Sequence, residues 1–306
     1  MSSPATSETA ETGINPLGVG AAAIAVSAWG LSGVIAKDID MGGLAIGAYR
    51  FTLYGLVLVV FMAMRGTPIT LRVMRESLWG GLALGADVAF FFSAIKLTSV
   101  ANATVIGALQ PIVVSIVAAR FFGERIVRRD ALLGLVAIVG VIAVVLSGAE
   151  EAGRDTVGDL LSLGALLSWS AYFVFAKRAK ERVTSQEYTI GAALWTGTVN
   201  FPLALAFGQD LSWPDSRSWL WLVILAFGAG LLGHSMMNWS IQQIPLWISS
   251  TFTLLIPVVS ATAAWIWLDE PLTAVQIGAM FVVLLALAGI VTSQTGIGSK
   301  PRPLRR

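Results

Sequence analysis

Three ionisable side chains, Arg50, Asp87 and His234, sit in otherwise uncharged, strongly apolar stretches. A charge at the centre of a bilayer costs about 2.5 to 3.5 kcal/mol on insertion scales, so such residues usually face a cavity or a partner. Asp87, in Leu84-Gly85-Ala86-Asp87-Val88-Ala89, could take up and release a proton or meet a substrate ammonium. As plain structure it would bond a neighbouring helix. His234 offers an imidazole that titrates near neutral pH and could carry protons; its bland reading is a packed ring bonded to a carbonyl. Arg50 could bind a substrate carboxylate or pair with Asp87. It also lies only about 9 Å inside the end of its helix, close enough to snorkel to the interface. Arg50 on a carboxylate and Asp87 on an ammonium would together hold a zwitterion, which is the hypothesis of an amino-acid-like substrate.

Other side chains could complete such a site. On an α-helix Gly230, His234 and Asn238 share one face, a stripe suited to a cavity wall. Trp29, Trp169 and Tyr172 fall inside apolar segments and could stack against flat or apolar groups, or simply pack helices together. Gln110 offers a neutral hydrogen bond beside Pro111, as do Asn102, Thr104 and Thr253 nearby. Pro111 and Pro257 each remove a backbone donor and kink a helix; they are candidate hinges or static bends. Gly80, Gly81, Gly85, Gly228 and Gly230 read as close-packing positions. Trp213, Trp219 and Trp221 read as interfacial anchors. The chain has no cysteine and a single histidine, so thiol chemistry and a His-rich metal centre are excluded. No metal or other cofactor is expected, and with no phosphate-binding loop neither is ATP-driven pumping.

These residues need helices that cross a membrane. Hydrophobic residues make up 56% of the chain and charged residues 12%, with a mean hydropathy of +0.78; soluble domains carry about 25% charge. A span needs about 20 mainly apolar residues. Ten segments qualify: 17–36, 44–64, 78–96, 99–119, 130–147, 158–177, 188–207, 218–239, 247–267 and 272–292. Two links are very tight, Leu97-Thr98 and Ile244-Pro245-Leu246. The expectation is an all-α polytopic membrane protein.

The chain also repeats itself. Trp29, Val34, Ala36 and Lys37 return as Trp169, Val174, Ala176 and Lys177, and Ile46-Gly47-Ala48 returns as Ile190-Gly191-Ala192. Pro111 and Glu124 return as Pro257 and Glu270, an offset of 146. That offset carries Asp87 onto Gly233, beside His234, and predicts that Asp87 and His234 approach each other at the centre. The expected organisation is a disordered cytoplasmic N-tail (1–16), a five-helix repeat (17–147), an outer linker (148–157), a second five-helix repeat (158–293) and a basic cytoplasmic tail (294–306). The tail is suited to anionic lipid rather than nucleic acid. The N-tail lacks the charged region of a cleavable leader, so the first helix is expected to remain as an anchor.

Basic loops stay in the cytoplasm. With the N-terminus inside, fifteen Lys and Arg fall on the cytoplasmic side and four (Lys37, Lys96, Arg154, Arg217) on the other. Five spans per repeat then make the repeats inverted, a plan in which the two halves alternate access to a shared site. Glu124 would lie at the cytoplasmic end of its helix and make surface ion pairs with Arg125, Arg128 and Arg129.

Several segments resemble the drug/metabolite transporter superfamily, specifically its EamA-type members. They are Gln110-Pro111 with Gly123-Glu124-Arg125, Pro257 with Leu268-Asp269-Glu270-Pro271-Leu272, Gly233-His234-Ser235-Met236-Met237-Asn238-Trp239, and Tyr49-Arg50-Phe51. Asp269 stands where the second copy expects Gly. The resemblance, over about residues 17 to 293, implies an inner-membrane carrier that mostly exports small metabolites, amino acids or drugs. Three alternatives stay open: an uptake permease or uncoupled facilitator, an intramembrane enzyme, and a structural membrane protein. The expected partners are a small-molecule substrate, protons and the lipid bilayer, with no nucleic acid. The oligomeric state is monomer or homodimer.

Overall fold

The computed structural model describes residues 14–37, 39–66, 69–97, 100–148, 155–267, 269 and 271–295. Among them the secondary structure is helical throughout, with no strand. The helices are α1 (Pro16–Lys37), α2 (Gly43–Met64), α3 (Leu71–Leu97), α4 (Val100–Gly107 continued by Gln110–Phe122), α5 (Arg128–Gly148), α6 (Thr156–Ala179) and α7 (Ser185–Ala206). They continue with α8 (Ser216–Gln243), α9 (Leu246–Trp267) and α10 (Ala274–Thr295). Eight of them are long and apolar enough to cross a membrane. The ten spans expected from sequence therefore do not all qualify: α3 and α7 are helical but less apolar. Both are packed against several other helices, α3 on α6 and α7, and α2 also on α7. Helices covered by protein need less apolar surface than helices facing lipid.

The helix ends follow from local chemistry. Thr184 and Glu187 form a reciprocal capping box at the start of α7, and the Asp155 and Asp215 carboxylates cap α6 and α8. Such caps satisfy the free N–H groups of the first turn. Gly123 ends α4 with φ at 65°, a left-handed C-cap that glycine adopts without steric cost.

Three helices are irregular. The α4 helix is interrupted at Ala108–Leu109, just before Gln110-Pro111, and α9 contains a 3-10 turn at Phe252–Leu254, just before Pro257. Proline has no N–H to give the carbonyl four residues back, which here belongs to Gly107 and to Thr253. The breaks thus lie N-terminal to two prolines that are related by the offset of 146. In α8, Ala226–His234 is a π-helix. Wide turns of this kind recur at functional sites, and here Gly230 and Gly233 let Tyr54 and Trp29 pack directly against it.

Beyond α3, the main packing again joins the first five helices to the last five. The α1 helix packs on α8 and α9, α4 on α6 and α9, and α5 on α10. The principal core runs chiefly through α1, α2, α3, α6, α7, α8 and α9. The outward faces of α5 and α10 remain apolar, with Leu132, Val139, Phe281 and Leu285 exposed, as lipid contact requires.

Candidate functional site

The centre of the principal core is built around His234, at the end of the π-helical turn. Four aromatic rings surround the buried imidazole. Trp29 from α1 lies 5.1 Å away between centroids, Phe51 and Tyr54 from α2 at 5.5 and 6.3 Å, and Tyr172 from α6 at 5.8 Å. Trp169 stands edge-on to Trp29 at 5.8 Å, and Phe173 joins both tryptophans. The offset of 140 thus places the repeat mates Trp29 and Trp169 in contact. Edge-on and tilted pairs of this kind are the favoured ring geometries.

The polar atoms of this cluster form a chain. The Tyr172 hydroxyl lies 3.3 Å from His234 Nδ1 and 2.8 Å from Asn238 Nδ2. Asn238 Nδ2 also donates to Thr189 Oγ1 at 2.9 Å, whose own hydroxyl donates to the Ser185 carbonyl. One consistent set of protons has Asn238 donating to Tyr172 and Tyr172 donating to His234 Nδ1, which leaves a proton on Nε2. On the other side Trp29 Nε1 donates to the Ala229 carbonyl at 3.0 Å. The predicted stripe survives the π turn. A side chain on Gly230 would strike the Tyr54 ring, which His234 stacks on, and Asn238 meets Tyr172.

Arg50 sits beside this cluster. Its guanidinium lies 4.8 Å from the centre of the Phe51 ring, within cation–π range. Its Nε is sealed from solvent without a hydrogen-bond partner. Arg50 is close enough to act electrostatically on Asp87, His234 and Tyr54. Among the described residues no ion pair joins Arg50 to Asp87, and no hydrogen bond joins Asp87 to His234. Arg50 is a charge that acts on both of them. A second orphan is Asn200 Oδ1, on α7.

The structure therefore brings together Trp29, Arg50, Trp169, Tyr172, His234 and Asn238, with Asp87 in electrostatic reach. Gln110 makes none of these contacts. It is buried at the break of α4, where Oε1 accepts from Thr253 Oγ1 at 3.0 Å, joining the two interrupted helices. Of the proposed anchors, Trp213 is exposed, whereas Trp219 packs half-buried against Tyr49 at 5.8 Å. The Asn102 side chain, Thr98, Glu270, the N-tail before Ile14 and the basic tail beyond Thr295 lie outside the described residues. Phe51, Tyr54, Phe173 and Thr189 were not singled out in the sequence. A signal existed: Tyr54 follows Arg50, and Phe173 follows Trp169, at the i, i+4 spacing of one helix face.

Glu124 corrects the sequence reading. It does not pair with its neighbouring arginines but with Lys177 of α6, Nζ to Oε1 at 3.4 Å. Its two oxygens also accept from the backbone N–H groups of Leu246 and Trp247. Both side chains are about nine-tenths buried. They border a recess of about 990 Å3 that also reaches Arg75, Phe175 and Arg182.

The EamA-like transporter family model matches the chain twice, over residues 16–146 and 156–292. The chain is 26% identical to a probable amino-acid metabolite efflux pump of Salmonella typhimurium over 280 residues, covering 87% of this chain and 92% of that protein. It is 28% identical over 201 residues to an aromatic amino acid exporter of Ancylobacter novellus, covering 63% and 68%. A crystal structure with 20% sequence identity superposes with a TM-score of 0.78, over 94% of this chain and 99% of that one. That likeness speaks to the fold.

Proposed function

The chain belongs to the EamA-like transporter family of the drug/metabolite transporter superfamily, and from that premise we propose that it exports amino acids across a bacterial inner membrane by alternating access. As a family member it is a multi-pass membrane transporter of small molecules. The observation that carries the substrate class is the pairing of two environments: an aromatic box around His234, with Arg50 and Asp87 beside it. Arg50 would take the carboxylate, Asp87 the ammonium, and Trp29, Trp169 and Tyr172 the side chain. The names of the relatives support amino acids over other metabolites.

In this reading ten helices span the membrane as two inverted five-helix units, residues 17–147 and 158–293. Both termini are cytoplasmic, which the excess of basic residues on one side supports. The packing between the first and last five helices supports a box at the interface between the units. The breaks before Pro111 and Pro257 would serve as paired hinges, and Ala at either position should slow flux without unfolding the protein. Protons would drive export through Asp87 or His234, and a monomer encloses the whole box.

The test is flux in proteoliposomes under an imposed pH gradient, with a mixture of amino acids read by mass spectrometry. Gradient-driven accumulation that is lost in Asp87→Asn supports a proton-coupled carrier. Arg50→Leu should abolish flux of the amino acid while sparing the corresponding amine that lacks a carboxylate. Unchanged amino-acid flux in Arg50→Leu would sink the zwitterion clamp, and movement of no amino acid at all would sink the function.

A further inference from the structure

The tight α8–α9 turn, Ile244-Pro245, leaves two helix ends side by side. The last carbonyls of α8 carry partial negative charge, and the first N–H groups of α9 carry partial positive charge. Each end is met by one buried side chain. Lys177 Nζ donates to the carbonyls of Ile241 and Ile244 at 3.0 and 2.8 Å. Glu124 accepts from Leu246 N–H at 2.8 Å and Trp247 N–H at 3.1 Å. The two side chains then meet each other at 3.4 Å.

The contacts tie different parts of the molecule. Glu124 follows α4, whereas Lys177 ends α6 and the turn joins α8 to α9. Lys177 lies five residues beyond Tyr172 along α6, about 7.5 Å at helical rise. Ile241 lies seven residues beyond His234 along α8, about 10.5 Å at the same rise. The Glu124–Lys177 pair therefore stands between the aromatic box and the recess at the basic face. Two charges held this far from water are costly unless every donor and acceptor finds a partner, and here the helix ends supply the partners. Pulling α4 away from the α8–α9 turn would break the pair and both N–H bonds together.

We propose that Glu124 and Lys177 form a latch that closes the basic face over the box, and that opening toward that face requires the Glu124 carboxylate to leave the α9 N-terminus. The latch rests on the alternating-access reading above, but its test reads opening rather than flux. The chain has no cysteine, so single reporters can be introduced without background. Ser249→Cys places a thiol at a buried position one turn inside the latch; Ser162→Cys places one toward the other end of α6, also buried. Full-length protein in nanodiscs, with both faces in water, is labelled with a membrane-impermeant maleimide.

Glu124→Gln and Lys177→Met should each raise the labelling rate at Ser249→Cys by at least about tenfold, with Ser162→Cys unchanged. The combined variant should add little to either alone. Exchanging the charges (Glu124→Lys with Lys177→Glu) should not restore slow labelling, because a lysine cannot accept from the Leu246 and Trp247 N–H groups. Unchanged rates in folded variants would overturn the latch, and equal acceleration at both reporters would reduce it to general loosening. Rescue by the charge exchange would overturn the role of the α9 end. Labelling that responds while no amino acid moves would leave the latch standing and remove the transport reading instead.

Discussion

The Tyr172 hydroxyl lies 3.3 Å from His234 Nδ1 and 2.8 Å from Asn238 Nδ2. It has one proton to give, so its bond to the imidazole and its bond from the amide are parts of one arrangement. Tyr172→Phe removes the shared atom and keeps the ring packing. The loss expected is about 1 kcal/mol of stability, the usual net value of a buried hydrogen bond. If the chain of bonds holds His234 in the geometry for coupling, flux in Tyr172→Phe should also lose its dependence on the pH gradient. Thermal unfolding and proteoliposome flux on the same preparation check both. A variant that is destabilised yet fully gradient-driven would confine Tyr172 to packing.

Gly233 gives Trp29 its place. A Cβ at 233 would sit 2.7 Å from Trp29 Nε1, against the indole that bonds the Ala229 carbonyl. Gly233→Ala should cost about 1 to 3 kcal/mol, the range for overpacking a filled core, and displace the indole from the box. The measurement is thermal stability in detergent, with Trp29→Phe as the second substitution. Rescue of Gly233→Ala by Trp29→Phe is expected, because the smaller ring vacates the contested space. A double variant no better than Gly233→Ala would place the strain elsewhere.

Asp215, ahead of α8, carries a pH prediction. Hydrogen bonds from the Ser218 backbone and hydroxyl, and from the Arg217 N–H, hold its carboxyl below the usual carboxylate range. A carboxyl whose value is depressed by folding stabilises the protein fully above the unfolded value, about 3.9 for Asp. That contribution is lost as pH falls through the folded value. The stability gap between the wild type and Asp215→Ala should therefore be constant from pH 7 to about pH 5 and shrink below about pH 4. Unfolding midpoints of the two proteins across that series test it. A gap independent of pH would mean that the cap acts without its charge.

What sequence alone determined follows from short-range rules. Hydrocarbon admits few charges, so a helix such as α5, with its run from Ala131 to Val145, is visible from composition. Its acidic first turn is too, because Asp130 precedes the run. The repeat was visible as Trp29 with Trp169 and Pro111 with Pro257, and both prolines mark interrupted helices because a missing N–H acts within four residues. The candidates Arg50, Asp87 and His234 were legible because a charge in an apolar segment needs a reason to be there.

Tertiary structure decided who meets whom. Nothing local says that His234 stacks on Tyr54 and bonds Tyr172, or that Glu124 passes over three nearby arginines to reach Lys177. That choice depends on the α8–α9 turn arriving beside it, with free N–H groups that no arginine could satisfy. The π-helical turn before His234 is likewise invisible in a pattern read at 3.6 residues per turn, since its wider winding is settled by what packs around it. How Asp87 and His234 stand to Arg50 was hidden for the same reason. Pseudo-symmetry relates positions along the chain, but Arg50 from α2, the charge that acts on both Asp87 and His234, belongs to only one of the two halves.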